Sequence, residues 1–492
     1  MVSDELKYRV VQAFGFPPTV EQTRAIDVFA QFMSDRDDRV VMLLRGSAGT
    51  GKTTLAAAIV RALAALQQKM VLLAPTGRAA KVFSLYAGYP AYTIHRRIYR
   101  QKTAADLSSF SMNVNLQRDT LFIIDEASMI SNQGYGESPF GSGRLLDDLT
   151  EFVYNGQNCR MLLIGDRAQL PPVGETDSPA LLAPMLRTYG LRVYEADLSQ
   201  VLRQAQASGI LYNATRIRGL GEELALPKIQ VQGFPDIHIV PGNELIEQLA
   251  SSYSRAGMDD TIVITRSNKR ANIYNQGIRR TILDREDELC RGDQLMIVKN
   301  NYSLPLCEKK ASPLGGGLEG WGGKKASLLG GGLEGAFLAN GDIAIVQRVR
   351  NIHELYGFRF AEVTIQLPDY DDLEFTATVL LDTLTSEAPS LTREQQNQLF
   401  EAVMEDYSDI PLKADRLKKI KQDVHYNALQ VKFAYAVTCH KAQGGQWAHV
   451  YIDQGYMTDD MLTSDYIHWL YTAFTRATEQ LYLVNWPAVQ TE

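Results

Sequence analysis

Short apolar runs alternate with longer amphipathic stretches through the first 200 residues. Runs at 40–44, 70–74, 120–124 and 160–164 are rich in Val, Leu, Ile and Met, which is typical of buried strands. Residues 54–63 instead combine strong helix formers with apolar residues at helical spacing. Buried strands that alternate with helices predict an α/β protein with parallel sheets.

A glycine-rich loop follows the first of these strands and opens the helix. It reads Gly46-Ser47-Ala48-Gly49-Thr50-Gly51-Lys52-Thr53, which has the G-x-x-x-x-G-K-T spacing of a phosphate loop. Its glycines allow backbone N–H groups and the helix N-terminus to face a triphosphate. We expect Lys52 to reach the β- and γ-phosphates and Thr53 to ligate Mg²⁺. The alternative is a chance glycine-rich turn.

The apolar run at 120–124 ends in two acids, Asp125 and Glu126. We expect Asp125 to hold the hydration shell of Mg²⁺ and Glu126 to polarise the attacking water as general base. Acids at strand ends are also common for structural reasons, but this pair lies one strand from a phosphate loop.

Composition narrows the class of protein without fixing its chemistry. The 492 residues are 45% hydrophobic, enough for two to four domains. Neither a long apolar run nor a signal-peptide pattern is present, which predicts a cytoplasmic protein with no membrane partner. Four scattered cysteines suggest neither a zinc site nor a disulfide framework.

The net charge of −7 does not exclude a nucleic-acid partner. Residues 1–100 contain 14 basic and 7 acidic residues, so this part carries +7 and the rest carries −14. A protein that tracks a phosphate backbone needs a basic path and not an overall basic chain.

Six segments in order resemble motifs I to VI of superfamily 1 helicases, at 46–53, 125–128, 165–173, 198–204, 437–444 and 471–477. The segments 74–80, 93–95 and 265–272 resemble those of the RecD-like and Dda-like branch, superfamily 1B, whose members move 5′ to 3′. The resemblance spans residues 22 to 477.

The resemblance implies two RecA-like P-loop domains with parallel sheets, a small hairpin insertion (1B) and an SH3-like β insertion (2B). We predict domain 1A at 1–98 and 120–195, the 1B pin hairpin at 99–119, domain 2A at 196–292 and 432–492, and the 2B insertion at 293–431. A glycine-rich repeat at 309–335 departs from the family pattern and is assigned no chemistry.

The resemblance also implies the residues of each site. The predicted catalytic residues are Lys52, Glu126, Gln169, Arg203 and Arg476. Nucleotide contacts are predicted for Gln22, Gly46, Gly49, Thr50, Gly51, Lys52, Thr53, Thr54, Gln443 and Gly444, and metal contacts for Thr53 and Asp125. Nucleic-acid contacts are predicted for Pro75, Thr76, Thr93, His95, Phe110, Thr438 and His440. Phe110 and Met112 are expected to form the wedge of the pin, and Arg203 and Arg476 to reach the γ-phosphate from the second domain.

These features predict a monomeric ATP- and Mg²⁺-dependent DNA helicase that moves 5′ to 3′ on single-stranded DNA and unwinds forked duplex. Single-stranded-DNA-binding or recombination proteins are possible partners. One alternative keeps the motor but places it on RNA or in a recombination or repair complex. Another is a P-loop kinase or switch NTPase that does not move on nucleic acid. For an isolated His95 or an isolated arginine, a structural role is the simpler interpretation.

Overall fold

The computed structural model describes residues 2–103, 106–134, 141–201, 208–220, 225–299, 301, 338, 340–370, 372–458 and 461–492. Arg203, the residues at 104–105 and the glycine-rich repeat at 309–335 lie outside these ranges.

The first part of the chain contains α1 (Val2–Phe14), α2 (Val20–Ser34), β1 (Val40–Gly46), α3 (Lys52–Ala65), β2 (Met70–Ala74), α4 (Gly77–Ala87), β3 (Ala91–Thr93), α5 (Ile94–Ile98), β4 (Tyr99–Thr103), β5 (Asp106–Met112), β6 (Leu121–Ile124), α6 (Leu145–Tyr154), β7 (Arg160–Gly165), α7 (Ala183–Thr188) and β8 (Arg192–Leu198).

The second part contains α8 (Gly209–Gly219), β9 (Ile237–Val240), α9 (Leu245–Arg255), β10 (Thr261–Thr265), α10 (Asn268–Gly277), β11 (Gln294–Ile297), β12 (Ile343–Leu355), β13 (Phe358–Leu367), β14 (Leu373–Leu380), α11 (Arg393–Asp406), α12 (Lys413–Gln422), β15 (Leu429–Phe433), β16 (Ala436–Thr438), α13 (Cys439–Ala442), β17 (Trp447–Asp453), α14 (Ser464–Phe474) and β18 (Ala477–Val484).

The first sheet has six parallel strands in the order β3-β2-β6-β7-β1-β8. Its central strands are buried because helices and their apolar side chains cover both faces. Strand β1 lies beside β7, with Leu44 opposite Ile164, so the loops after β1, β6 and β7 leave the same edge. Strand β8 continues to Leu198, past the predicted domain boundary at 195.

The second sheet has five parallel strands in the order β16-β10-β17-β18-β9. One of its faces packs against α8 and α14, and the partly buried Ala48 and Ala168 of the first part of the chain pack against the same core. This contact places the loops after β1 and β7 directly on the second sheet's helices.

Strands β11 to β15 lie in the sequence between β10 and β16 of the second sheet, and they form a small closed barrel. Its interior shares a hydrophobic core with the second sheet. The predicted pair of RecA-like sheets with a small β insertion is therefore confirmed. Among the described residues, no helix combines the length and apolar character needed to cross a membrane.

Strands β4 and β5 pair as an antiparallel hairpin, with Gln101 opposite Phe110. Phe110 and Met112 are partly buried against the core of the first sheet. The base of the hairpin is therefore anchored by the apolar side chains that were expected to form its wedge.

Candidate nucleotide and nucleic-acid sites

The phosphate loop has the backbone shape that its glycines predict. Gly49 and Gly51 have φ values of 77° and 78°, a left-handed region that costs glycine little. Helix α3 begins at Lys52 directly after Gly51, and no side chain caps its N-terminus. Its first N–H groups are therefore available to an anion such as a phosphate.

Gln22 holds the phosphate loop from behind. Its side chain forms a capping box with Thr19 at the start of α2, and its Nε2 also donates to the carbonyl oxygen of Thr50 at 3.1 Å. Thr50 Oγ1 donates in turn to the carbonyl oxygen of Ser47 at 2.8 Å. The structure thus places Gln22 on the loop backbone, where it fixes the loop's shape.

Acids lie at the ends of β6 and β7, and two of them, Asp125 and Asp166, interact electrostatically with Lys52. Burial raises the pKa of Asp125 to about 6, with the neighbouring Glu126 adding to the rise and Lys52 opposing it. Burial also raises the pKa of Asp166, which Lys52 and the hydroxyl of Tyr471 oppose. Buried carboxylates that a single lysine does not fully compensate are suited to a divalent cation.

Two buried oxygens at this site have no hydrogen-bond partner among the described residues. They are Glu126 Oε2 and Gln169 Oε1, which come from the loops after β6 and β7. Buried polar atoms are normally paired, so each of these two acceptors is suited to a hydrogen bond from a ligand or a water molecule. With the uncapped helix and the acids, the residues present fit Mg²⁺ and ATP, with Thr53 and Asp125 as the predicted metal contacts.

Helix α14 connects the second sheet to the nucleotide site. The Tyr471 hydroxyl accepts a hydrogen bond from the Ala48 N–H at 2.9 Å and donates to Asp166 Oδ2 at 2.6 Å. The Leu170 N–H donates to Thr472 Oγ1 at 2.8 Å. One helix therefore contacts both the phosphate loop and the loop after β7.

Gln443 extends this connection. Its Nε2 donates to the carbonyl oxygen of Leu170 at 2.7 Å, next to Gln169. His468 Nδ1 lies 2.8 Å from the carbonyl oxygen of Ala168 in the same loop. The loop after β7 is thus fixed to two segments of the second domain.

The structure does not bring Arg476 to the phosphate loop. Its guanidinium donates to the carbonyl oxygens of Thr472 and Gly445 and to Thr475 Oγ1, each at 3.1 Å. All three partners belong to the second sheet's part of the chain, and Arg476 is buried. In this arrangement Arg476 joins α14 to the loop before β17, and its contact with a γ-phosphate stays a prediction.

A separate cleft of about 910 Å³ lies between the two sheets. It is lined at strand ends by six of the predicted nucleic-acid residues, Pro75, Thr76, Thr93, His95, Thr438 and His440. Phe110, the seventh, is not among its lining residues. The cleft also contains basic side chains that were not predicted, Arg78, Arg266, Lys269 and Lys441.

The lining residues differ in what they offer a ligand. Thr76 and Thr93 cap α4 and α5 with their hydroxyls, so part of their role is structural. Burial lowers the pKa of His95 to about 4, which keeps its ring neutral at pH 7. Burial lowers the pKa of Lys441 to about 8, which still leaves it mostly protonated near pH 7.

The two domains meet between the phosphate site and this cleft. Gly444 has a φ of 76°, and a Cβ atom there would lie 3.0 Å from the Cβ of Ala79. Arg78 stacks on Trp447 at 4.1 Å and donates to the carbonyl oxygen of Gln446 at 3.1 Å. Residues of the α4 N-terminus thus contact the loop before β17 directly.

Comparisons with known proteins agree with this arrangement. Residues 19–234 match the family model described as an AAA domain, and residues 433–484 match that of the UvrD-like helicase C-terminal domain. The chain is 31% identical over 179 residues to the ATP-dependent RecD2 DNA helicase of Deinococcus radiodurans, and 27% identical over 198 residues to the ATP-dependent DNA helicase dda of Enterobacteria phage T4. Over these regions the chain is similar to ATP-dependent DNA helicases and to UvrD-like helicases.

The named relatives are matched only in part. The alignments cover 35% of this chain and 21% of the Deinococcus protein, and 38% of this chain and 39% of the phage protein. An uncharacterized protein of Acanthamoeba polyphaga mimivirus is 21% identical over 92% of this chain and 96% of its own. A crystal structure of Pif1 helicase from Bacteroides with ADP-AlF3 and ssDNA aligns with 96% of this chain and 93% of that chain, at 14% identity and a TM-score of 0.45.

Several residues of these sites were missed in the sequence. Tyr471 and Arg78 lie inside segments that carry the family resemblance, so their motif position was the available signal. Arg218 was not singled out, although its NH1 donates to Ser47 Oγ of the phosphate loop. The sequence has no local sign of that contact, which joins residues far apart in the chain.

Proposed function

We propose that this protein is an ATP-dependent DNA helicase that moves 5′ to 3′ along single-stranded DNA and unwinds forked duplex. One observation carries the proposal. Gln443 lines the cleft of basic and polar strand-end residues, and it also holds the Leu170 carbonyl beside the nucleotide site. A ligand in the cleft and a nucleotide on the loop would therefore act on the same segment.

The roles of the site residues follow from their surroundings. ATP would supply the phosphoryl group, and Mg²⁺ would supply positive charge that neutralises the phosphates. The phosphate loop would hold ATP, and Thr53 and Asp125 would hold Mg²⁺. Glu126 is the general base, because its Oε2 is buried without a partner among the described residues. The cleft binds single-stranded DNA through phosphate contacts to its basic residues and polar contacts at the strand ends.

The predicted domain boundaries complete the proposal, with domain 1A extended to include all of β8. The hairpin of β4 and β5 is the element that meets the duplex. Its tip, and not Phe110 at its anchored base, is the part that would separate the strands. Polarity and the DNA partners follow from the family resemblance.

The decisive experiment is unwinding of partial duplexes that carry either a 5′ or a 3′ single-stranded tail. We expect ATP-dependent unwinding from the 5′ tail, with Glu126→Gln as the inactive control. Unwinding only from the 3′ tail would refute the polarity. DNA-independent ATP turnover would refute the motor and favour a switch NTPase.

The RNA alternative is tested by the same protein. Single-stranded DNA and RNA of the same sequence are compared as activators of ATP hydrolysis. Stronger activation by RNA would move the proposed track from DNA to RNA while leaving the ATP site unchanged.

A further inference from the structure

Arg218 reaches the phosphate loop from the second domain. It lies near the C-terminus of α8, and its NH1 donates to Ser47 Oγ. Helix α8 packs on the core of the second sheet through Ile210, Ala214 and Ile217. The contact therefore joins a rigid element of one domain to the nucleotide-binding loop of the other.

The charge of Arg218 is not neutralised by an ion pair. Among the described residues, no carboxylate lies within 4.0 Å of its guanidinium, and its hydrogen bond goes to a neutral hydroxyl. Its charge acts at longer range on two groups. Burial acts to raise the pKa of Glu21, but hydrogen bonds from Ser199 and Gln200 and the charge of Arg218 leave it lowered. Burial raises the pKa of Tyr471, and the charge of Arg218 opposes that rise. A half-buried guanidinium that faces a phosphate loop is suited to an anion.

Neighbouring arginines have other partners. Arg216, on the same helix, forms a salt bridge with Glu492 at 2.9 Å. Arg476 uses its guanidinium within its own domain. Of the arginines on α8 and α14 and at their ends, Arg218 is the one that the described structure places on the phosphate loop.

We propose that Arg218 binds the terminal phosphate of the nucleoside triphosphate and leaves Ser47 Oγ when it does so. This inference rests on the proposed function only for the identity of the nucleotide. A diphosphate lacks that phosphate, so Arg218 would contact the terminal phosphate in the triphosphate state and return to Ser47 Oγ after hydrolysis. The partner of Arg218, and with it the contact between α8 and the phosphate loop, thereby depends on which nucleotide is bound.

The test is calorimetric binding of Mg²⁺-AMP-PNP and Mg²⁺-ADP to the full chain. We expect Arg218→Ala to lose at least tenfold in affinity for AMP-PNP while its ADP affinity stays within about twofold. Arg218→Lys should recover part of the loss, because lysine keeps the charge without the planar fork. Arg216→Ala is the matched control on the same helix and should bind both nucleotides as the parent does.

Ser47→Ala separates the two partners of Arg218. If the hydroxyl only holds the guanidinium before the nucleotide arrives, Ser47→Ala keeps the parent's ratio of AMP-PNP affinity to ADP affinity, which is the preference for AMP-PNP. Loss of preference in Ser47→Ala, equal loss of both nucleotides in Arg218→Ala, or an unchanged ratio in Arg218→Ala would overturn the proposal. A parent that prefers AMP-PNP but shows no DNA-stimulated turnover would count against the helicase function and not against Arg218.

Discussion

Glu126 has an unusual backbone for a glutamate, with a φ of 52°. Residues other than glycine, asparagine and aspartate rarely take this left-handed backbone conformation, and holding it costs about 1–3 kcal/mol. The surrounding loop maintains it, and the result is a carboxylate oxygen that is buried without a partner among the described residues. A strained backbone at an unpaired acid is the pattern expected of a residue kept for chemistry.

Glu126→Gln and Lys52→Ala should therefore fail in different ways. Glu126→Gln keeps the shape of the side chain but loses the base, so we expect ATP binding close to the parent and turnover reduced about 10²–10⁴-fold. Lys52→Ala removes the charge that faces the phosphates and should lose ATP binding as well. Nucleotide binding and single-turnover hydrolysis, measured on both variants, check this. If Glu126→Gln hydrolyses ATP at the rate of the parent, Glu126 is not the general base.

Tyr471→Phe should weaken the contact between α14 and the phosphate loop. The variant leaves the Ala48 N–H and Asp166 Oδ2 without their shared hydroxyl, and each lost hydrogen bond is worth about 0.5–1.5 kcal/mol. We expect DNA-stimulated ATP hydrolysis to fall at least tenfold, as measured in steady-state assays.

Tyr466→Phe is the control for this variant. Tyr466 lies on the same helix, and its buried hydroxyl donates to Gln454 at 2.7 Å, away from the nucleotide site. A similar fall in both variants would mean that the whole helix, and not the Tyr471 hydroxyl, is responsible.

At the scale of elements, the hairpin of β4 and β5 has a base that is anchored on the core of the first sheet. Replacing residues 102–107 with two glycines should spare DNA-stimulated ATP hydrolysis and remove strand separation, because the base of the hairpin stays packed on the core. Forked-duplex unwinding and ATPase assays on the same preparation measure this. Loss of both activities would show that the tip supports the fold.

Phe110→Ala tests the anchored base of the hairpin. Since Phe110 is partly buried against the first core, we expect it to lower stability by about 1–3 kcal/mol, less than a fully buried phenylalanine. A thermal melt should detect the loss. An unchanged melting temperature with lost unwinding would return Phe110 to the role of wedge.

The sequence predicts elements better than it predicts contacts between them. Apolar runs that lead into Asp125 or Asp166, or into the loop that carries Thr53, signal strands whose loops meet at one edge, because parallel strands share their carboxyl ends. The barrel strands around 343–367 follow from alternation in the same way. No sequence pattern predicts the hydrogen bond between Tyr471 and Asp166, because it depends on how the two sheets pack against each other.

Over the whole molecule, one glycine lies where the two domains approach closely. Gly444→Ala would combine a left-handed alanine, which costs about 1–2 kcal/mol, with a Cβ atom 3.0 Å from that of Ala79. We expect the domains to separate, DNA-stimulated hydrolysis to fall at least tenfold, and the radius of gyration from X-ray scattering to increase.

Gly455→Ala is the control for backbone strain. Gly455 has a φ of 69°, but no atom of the described residues lies within 4 Å of the position that a Cβ would take, so the variant carries the same strain without the contact. Equal effects in the two variants would attribute the loss to strain and not to the interface between the domains.

The stacking of Arg78 on Trp447 gives the protein an optical signal of its own movement. Trp447 is 3% exposed, and its cover comes in part from a guanidinium of the opposite domain. When the domains part, the indole gains water and its fluorescence emission shifts to longer wavelength, whereas Trp469 and Trp486 remain in the core of the second sheet. Each cycle of opening and closing could then be followed in real time without attaching a dye.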